Sequence, residues 1–401
     1  MQAIEYVKSV PRYLFVRYLA RQRPALCASF LSCIRLVNVL PPPLPTPEWV
    51  RVRPLLSGIC GSDLATITAK GDPYFSPLTS FPFVLGHEVV GEVVECGDRV
   101  ERFPVGSRVV LHPPLSCRTR AIIPLCEYCQ ADQDSLCINT GAGSLAAGIQ
   151  TGYCHDTGGA WSGSFVAHQQ QLHLVPEGLA NSAAVLAEPF GCALEAVLKA
   201  SPKDGQTALI VGFGTMGALT LVALRSLEKD LRVVVVAKHL HQQHIARQLG
   251  ADRVVGVEEL LSGLTEELRV KLHRPEFGPP GATGGADISF DCVGAAETMD
   301  TSLRFTRAAG QVVMVGMPGN SAKLHWMAAW HKELSVLGSY SCNRPTFCKA
   351  ILVLPGMSAR LEAIVGAKFS LAQYKKALAA ALKPAKTGAL KITFEPSAMQ
   401  E

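Results

Sequence analysis

Cys60, Ser62 and Asp63 are close neighbours in the chain, and His87 and Glu88 follow a glycine at Gly86. Thiol, imidazole and carboxylate groups are the donors that zinc takes from proteins. Three such donors with one open position make a catalytic site, whereas four donors in a closed tetrahedron make a structural one. A second group is richer in sulfur: Cys126, Cys129 and Cys137, with Cys117 upstream. If residues 118–125 loop out, Cys117 can supply a fourth thiolate; otherwise the lobe is vestigial and Cys117 is a small thiol. The third group is a loop, Gly212-Phe213-Gly214-Thr215-Met216-Gly217. Its glycines allow a sharp turn and a close backbone approach to a pyrophosphate at a helix N-terminus.

The elements around these groups read in two styles. Thr207–Val211 is a short apolar strand leading into the glycine loop, and Met216–Leu227 is an apolar helical run, the context a dinucleotide fingerprint requires. Leu231–Val236 is a second strand and His239–Leu249 a second helical stretch, with later strands at Asp287–Asp291 and Gln311–Gly316. Short strands alternating with helices predict a doubly wound parallel sheet, hence an α/β class. At the end of the second strand, where an acidic residue would hold a ribose 2′-hydroxyl, the chain has Ala237-Lys238-His239; Glu228 and Asp230 precede that strand. A small residue followed by Lys238 and His239 suits a 2′-phosphate and leans to NADP, the alternative being that Lys238 is a solvated loop lysine. From Trp49 to Leu111 the text is strand-like, Val-rich and broken by Gly. Residues 113–163 are rich in loops and cysteines. Lys332–Tyr340 reads as a return strand and Leu371–Leu382 as a final amphipathic helix. Lys8–Arg35 is basic and apolar with helical character, and the proline-rich Leu40–Pro47 is an extended linker.

The run Gly86-His87-Glu88, Gly91, Gly97, Val100 resembles, at every fixed position, the zinc signature of the medium-chain dehydrogenase/reductases, the superfamily of alcohol, sorbitol and threonine dehydrogenases. The resemblance covers roughly Trp49–Pro396; residues 8–45 lie outside it. It implies a β-rich, GroES-like catalytic domain from residues 1–190 completed by 340–401, and a Rossmann domain at 191–339. By resemblance Cys60 and His87 bind a catalytic zinc, and Glu88 is an adjacent ligand or an exchanging carboxylate behind them. Glu188 matches the later glutamate ligand of polyol dehydrogenases. Asp63 would hydrogen-bond His87, fixing its tautomer, and Ser62 would relay the proton of the substrate hydroxyl. The structural lobe of the family has four cysteines, the first at the place of Ile123 here, which leaves Cys117 to complete a structural zinc site. Glu195 stands where related sequences often have His. The activity implied is hydride transfer between an alcohol or polyol, or its carbonyl product, and NAD(P).

Composition is consistent with that outline. The 401 residues are 48% hydrophobic and 18% charged, and a net charge of +5 is too small to argue for nucleic acid or a membrane surface. The opening residues lack the features of a signal peptide, so a cytoplasmic protein is expected, with neither membrane nor nucleic acid as partner and a homodimer or homotetramer by resemblance. Thirteen cysteines in such a chain point to metal or catalysis rather than disulfides. Cys27, Cys33, Cys96, Cys154, Cys192, Cys292, Cys342 and Cys348 read as buried small hydrophobes, and Lys386 and Lys391 as solvated surface charges, the alternative being that one of these lysines faces the cleft and meets a cofactor phosphate. The aromatic and basic residues of the N-terminal segment (Arg12, Tyr13, Phe15, Arg17, Tyr18, Arg21, Arg23) suit a helix packed on the catalytic domain, or one contacting the active site or a partner subunit. Three rivals use the same pattern: a non-catalytic nucleotide-binding scaffold, a zinc-free enone or quinone reductase, and an aldehyde dismutase that retains its cofactor.

Overall fold

The computed structural model describes residues 1–19, 23–319, 324–383 and 387–396, so Arg21 and Lys386 lie outside the described residues. The chain divides into two compact units, Met1–Glu188 with Cys342–Glu401, and Pro189–Ser341. No helix among the described residues is long and apolar enough to cross a membrane.

The second unit carries a six-stranded sheet, every neighbouring pair parallel. Its spatial order is Arg253–Val255, Arg232–Val236, Thr207–Val211, Ala286–Asp291, Thr306–Met314, Ser335–Gly338. In chain order that is 3-2-1-4-5-6, so the winding reverses between Thr207–Val211 and Ala286–Asp291, the switch point at which such sheets bind ligands. The central strands do not alternate apolar with polar residues because both faces of the sheet are covered: Leu209, Ile210, Val233, Val234, Val235 and Phe290 are all buried. The helices Thr215–Arg225, Leu240–Gln248 and Ala296–Phe305 connect successive strands.

The first unit is built on a seven-stranded sheet. Its main path runs Val365–Phe369, Lys391–Phe394, Trp49–Gly58, Val89–Cys96, Arg108–Leu111 and Leu172–Leu174, with Phe165–His168 pairing Trp49–Gly58 off that path. One core lies against these strands, around Val52, Val93, Phe103, Val109 and Phe165. Another gathers Ile4, Val16, Cys27, Ile34, Trp161 and Phe394.

The N-terminal stretch corrects the helical reading of Lys8–Arg35. Among the described residues of that stretch, helix is confined to Val10–Leu14, a π-helical turn at Phe15–Leu19 and a 3-10 turn at Pro24–Ala28. Ile34–Asn38 is a strand, paired antiparallel with Gln2–Tyr6. The reason is local: Pro24 interrupts the run, and the Ile34-Arg35-Leu36-Val37 text has strand composition that the helical reading overrode.

The loop-rich region holds together around one buried cation. Arg120, fully buried, donates from Nε to the Leu115 carbonyl, from Nη1 to those of Ala142 and Leu145, and from Nη2 to those of Ala146 and Gly148, at 2.7–3.2 Å. All five guanidinium donors are therefore satisfied, which a buried charge requires.

Candidate active site and metal centres

Cys60 precedes the helix Gly61–Ile67 as its N-cap, and its backbone N–H donates to Asp63 Oδ2 at 2.9 Å. That contact buries the Asp63 carboxylate in the first helical turn, where the helix dipole favours it. His87 follows Gly86, whose φ of +100° is open to glycine and whose missing Cβ would stand 2.8 Å from the backbone N of Trp161. His87 is thereby pressed inward, with Nδ1 3.6 Å from Asp63 Oδ1. This spacing is too long for a hydrogen bond, and neither buried atom has another partner.

Burial pushes the Asp63 carboxyl up, opposed by His87. Burial lowers the His87 pKa, but Asp63, Cys60 and Glu188 outweigh it and leave the imidazole well above its usual value. Glu188, buried at the start of the helix Ala187–Ala200, belongs to the same electrostatic neighbourhood.

Two residues change the sequence-based picture. Lys391 is not a surface charge: it is 2% exposed, and its Nζ donates to both oxygens of Glu88, itself 1% exposed, at 2.7 and 2.6 Å, and to the Ile59 carbonyl at 3.2 Å. Glu88 therefore has both oxygens engaged by an ammonium group. The strand Lys391–Phe394, which delivers that lysine beside Trp49–Gly58, carried no signal of this role in the sequence. Tyr153, also not singled out by motif, is buried with its hydroxyl 3.1 Å from Thr66 Oγ1 and hydrogen-bonded to half-buried Ser62. Burial and the Asp63 carboxylate push its phenol well above the usual range, keeping it a neutral donor.

The sulfur-rich lobe is tighter. The donor atoms of Cys117, Cys126, Cys129 and Cys137 all lie within 4.8 Å of one another, and this is the one such group of three or more among the described residues. The spacing predicted this only if 118–125 loops out, and it does: Ile123 sits 92% exposed on the loop while Cys117 is buried. Backbone and side-chain amides point at the sulfurs, from Cys126 N and Asn139 Nδ2 to Cys117 and from Asn139 N to Cys137. Burial raises the thiols of Cys129 and Cys137, the latter to about 11. Burial also opposes ionisation of Cys126, yet N–H donors from Cys129 and Ile138 bring it down to about 7. Four converging sulfurs with amide donors fit a thiolate-bound divalent cation, which would remove the cost of bringing their charges together.

The remaining cysteines do not all behave as core residues. Cys27, Cys33, Cys154 and Cys342 are buried, Cys96, Cys192 and Cys292 are half-buried, and Cys348 is exposed with its sulfur 4.0 Å from His173 Nδ1. Glu195 is buried, 3.8 Å from Lys199 one helical turn on.

In the second unit each glycine of the loop has a distinct steric reason. Gly212 has φ +91°, and a Cβ there would meet Val293 Cγ2 at 2.1 Å. A Cβ on Gly217 would stand 2.1 Å from the Gly212 carbonyl oxygen, so this residue lets helix and strand approach. Gly214, the N-cap, has nothing within 4 Å of its ideal Cβ, leaving open the side from which a pyrophosphate would approach Thr215 and Met216 at the helix start. Across the switch point, buried Asp291 accepts from Val293 N and Gly294 N at 3.0 and 3.2 Å. Beyond Arg232–Val236, Lys238 is exposed, and the rings of His239 and His241 stack 5.6 Å apart.

Residues 46–177 match the alcohol dehydrogenase GroES-like domain and residues 215–354 the zinc-binding dehydrogenase domain. D-arabitol-phosphate dehydrogenase of Enterococcus avium is 28% identical over 338 residues, 84% of this chain and 87% of that protein. L-idonate 5-dehydrogenase of Vitis vinifera is 29% identical over 315 residues, 78% of this chain and 79% of that protein. A Sinorhizobium meliloti zinc-binding dehydrogenase structure bound to NADP superposes with a TM-score of 0.70 at 26% identity, covering 90% of this chain and 95% of that one. The chain therefore belongs to the zinc-binding medium-chain dehydrogenase/reductase family and is an NAD(P)-linked oxidoreductase of the alcohol dehydrogenase type.

Proposed function

We propose that this protein oxidises a secondary alcohol of a polyol, or reduces the corresponding ketone, with NADP as the preferred cofactor. What supports this reading is a buried site in which Asp63 faces His87 at 3.6 Å, Cys60 and Glu188 act on the same imidazole, and Glu88 is ion-paired with buried Lys391. Thiol, imidazole and carboxylate are the donor set of a catalytic zinc. Cys60, His87 and Glu188 would hold it, and Glu88, tied to Lys391, would stand behind them. Zinc held there would supply Lewis acidity, and the nicotinamide cofactor would supply the hydride chemistry.

The chain's own residues do the rest. The Asp63 carboxylate, 3.6 Å from His87 Nδ1, favours a proton on that nitrogen by its charge without hydrogen-bonding it, which leaves the other ring nitrogen for the metal. Ser62 relays the proton of the substrate hydroxyl, accepting it as its own hydroxyl proton passes on to solvent water, and the neutral Tyr153 phenol orients Ser62 with Thr66 beside it. The four-cysteine lobe would carry a second, structural zinc. The preference for NADP is supported by Lys238 and the paired imidazoles of His239 and His241, by the lack of an acidic residue from Leu231 to Ala251, and by the NADP-bound relative. Polyol substrates are supported by the names of the relatives in D-arabitol-phosphate and L-idonate oxidation. Association of two copies is supported by the edge strand Ser335–Gly338 and by Trp326, Met327 and Trp330, exposed on the short helix before it.

The test is steady-state turnover of a polyol panel with NADP and NAD, alongside metal counting by native mass spectrometry. Turnover favouring NADP, with two zincs per chain falling to one in Cys60→Ala, is the expected result. A chain that binds nucleotide but holds no metal, in protein protected from chelators, would overturn the catalytic reading in favour of a scaffold or a zinc-free reductase.

A further inference from the structure

The net charge of +5 conceals a local asymmetry. From Tyr6 to Pro47 the chain contains Lys8, Arg12, Arg17, Arg21, Arg23 and Arg35 and not one Asp or Glu. Among the described members of that set, Arg35 stands across the strand pair from Glu5. Lys8, Arg12 and Arg17 engage neutral groups. Arg12 donates to the carbonyls of Phe30 and Ser32 at 2.7 and 2.9 Å, Arg17 to the Tyr13 hydroxyl at 2.9 Å, and Lys8 lies 5.9 Å from the Phe81 ring centroid. Among the described residues no carboxylate forms an ion pair with any of these three cations.

The same segment exposes large apolar side chains in an ordered way. Val16, Cys27, Ala28 and Ile34 are buried in the core below, with Tyr13, Phe15 and Leu26 packed against it, so the segment cannot roll. Val10, Leu14 and Tyr18 then stand outward at helical spacing, with Tyr18 71% exposed and Leu19 beside it. The Arg12 contacts bring the turn carrying Phe30 and Leu31 against this helix, and Phe30 is 80% exposed. Next to it, an apolar cavity of about 200 Å³ opens between the Pro24–Ala28 turn and the helix Tyr374–Ala381, lined by Cys27, Ala28, Ile67, Leu378 and Leu382, with the exposed Lys375 among its lining residues.

We propose that this face docks on an anionic lipid bilayer. Val10, Leu14, Tyr18 and Phe30 enter the headgroup layer, and Lys8, Arg12, Arg17 and Arg23 meet lipid phosphates. Outward apolar residues interleaved with cations are the surface pattern of interfacial helices, and the absence of acidic residues makes the face complementary to negative charge. A second copy of the chain would bring like charges face to face, which disfavours self-association through this surface.

The experiment is flotation of the full-length protein with phosphatidylcholine vesicles, with and without phosphatidylserine. Binding to the anionic vesicles alone, released near about 0.5 M NaCl, is expected. Lys8→Gln with Arg23→Gln should weaken partitioning about 25-fold, at about fivefold per cation. Leu14→Ser with Tyr18→Ser should weaken it at least as much, with far-ultraviolet circular dichroism and thermal midpoint unchanged in both. Equal binding to both vesicle types, or to neither, overturns the proposal. So does a change of oligomeric state in the Leu14→Ser, Tyr18→Ser protein, which would reassign the face to self-association. The readout is independent of turnover, so its outcome is separate from that of the dehydrogenase reading.

Discussion

Around Cys117, four sulfurs crowd within 4.8 Å of one another with amide N–H donors pointing at them. Around Cys60, a single sulfur shares its surroundings with an imidazole, several carboxylates and the hydroxyls of Ser62 and Tyr153. Both centres lie in the same unit and both draw on cysteine. The lobe spends every donor on closure, which suits a metal that holds loops. The other centre mixes donor types, keeps hydroxyls at hand, and leaves the Asp63–His87 pair at 3.6 Å without a hydrogen bond. Closure favours stability and an incomplete, polar surround favours chemistry.

Variants can break that contrast. Cys129→Ala should remove one metal and lower unfolding free energy by several kcal/mol, since structural zinc binding is itself folding free energy. Cys60→Ala should abolish turnover and leave the urea midpoint nearly unchanged. If the two variants lost stability equally, the division of labour would be wrong.

Next in size is Lys391→Met, which strands the buried Glu88 carboxylate. Urea unfolding should show a loss of about 3–5 kcal/mol, and the double variant with Glu88→Gln should recover most of it. A loss below about 1 kcal/mol would mean that the pair is not buried in solution.

His168 provides a pH signature separate from either candidate metal centre. Burial holds its imidazole down near 4, with Glu48 opposing and Arg344 reinforcing that shift. Below its ordinary pKa the unfolded chain takes up a proton that the folded chain refuses. Stability from this group is thus present above about pH 6.5 and is lost as the pH falls toward 4, about 3 kcal/mol in all. His168→Asn, which keeps an acceptor for the Gln170 N–H, should flatten that part of the stability profile measured by urea titration. The smallest effect is expected at Gly214→Ala. Nothing lies within 4 Å of the added methyl, so the thermal midpoint should hold while the KM for NADP rises several-fold. A fall in kcat with KM unchanged would instead place the cofactor elsewhere.

The motifs were legible because their chemistry is local. The glycine loop sits between Thr207–Val211 and Thr215–Arg225 as its pattern requires, and periodicity alone carried the parallel sheet. Lys391 and Tyr153 were not legible, since each reaches its partner through the fold, across 303 positions to Glu88 and 87 to Thr66. The helix Arg344–Glu362 also escaped notice, because Pro355 and Gly356 interrupt text that packing nonetheless holds helical through buried Phe347, Ile351 and Leu354. Cys117 was ambiguous for a related reason: spacing counts residues, whereas the turn at Arg120 decides where they go.

That turn has an evolutionary side. Arg120 binds its loop entirely through main-chain carbonyls, those of Leu115, Ala142, Leu145, Ala146 and Gly148. Every amino acid carries that acceptor, so the partners can be exchanged for others with little consequence for the contact itself. The arginine has no such latitude, because no other side chain presents five donors in that fork. The lobe is thus free to drift at many positions around one that cannot change.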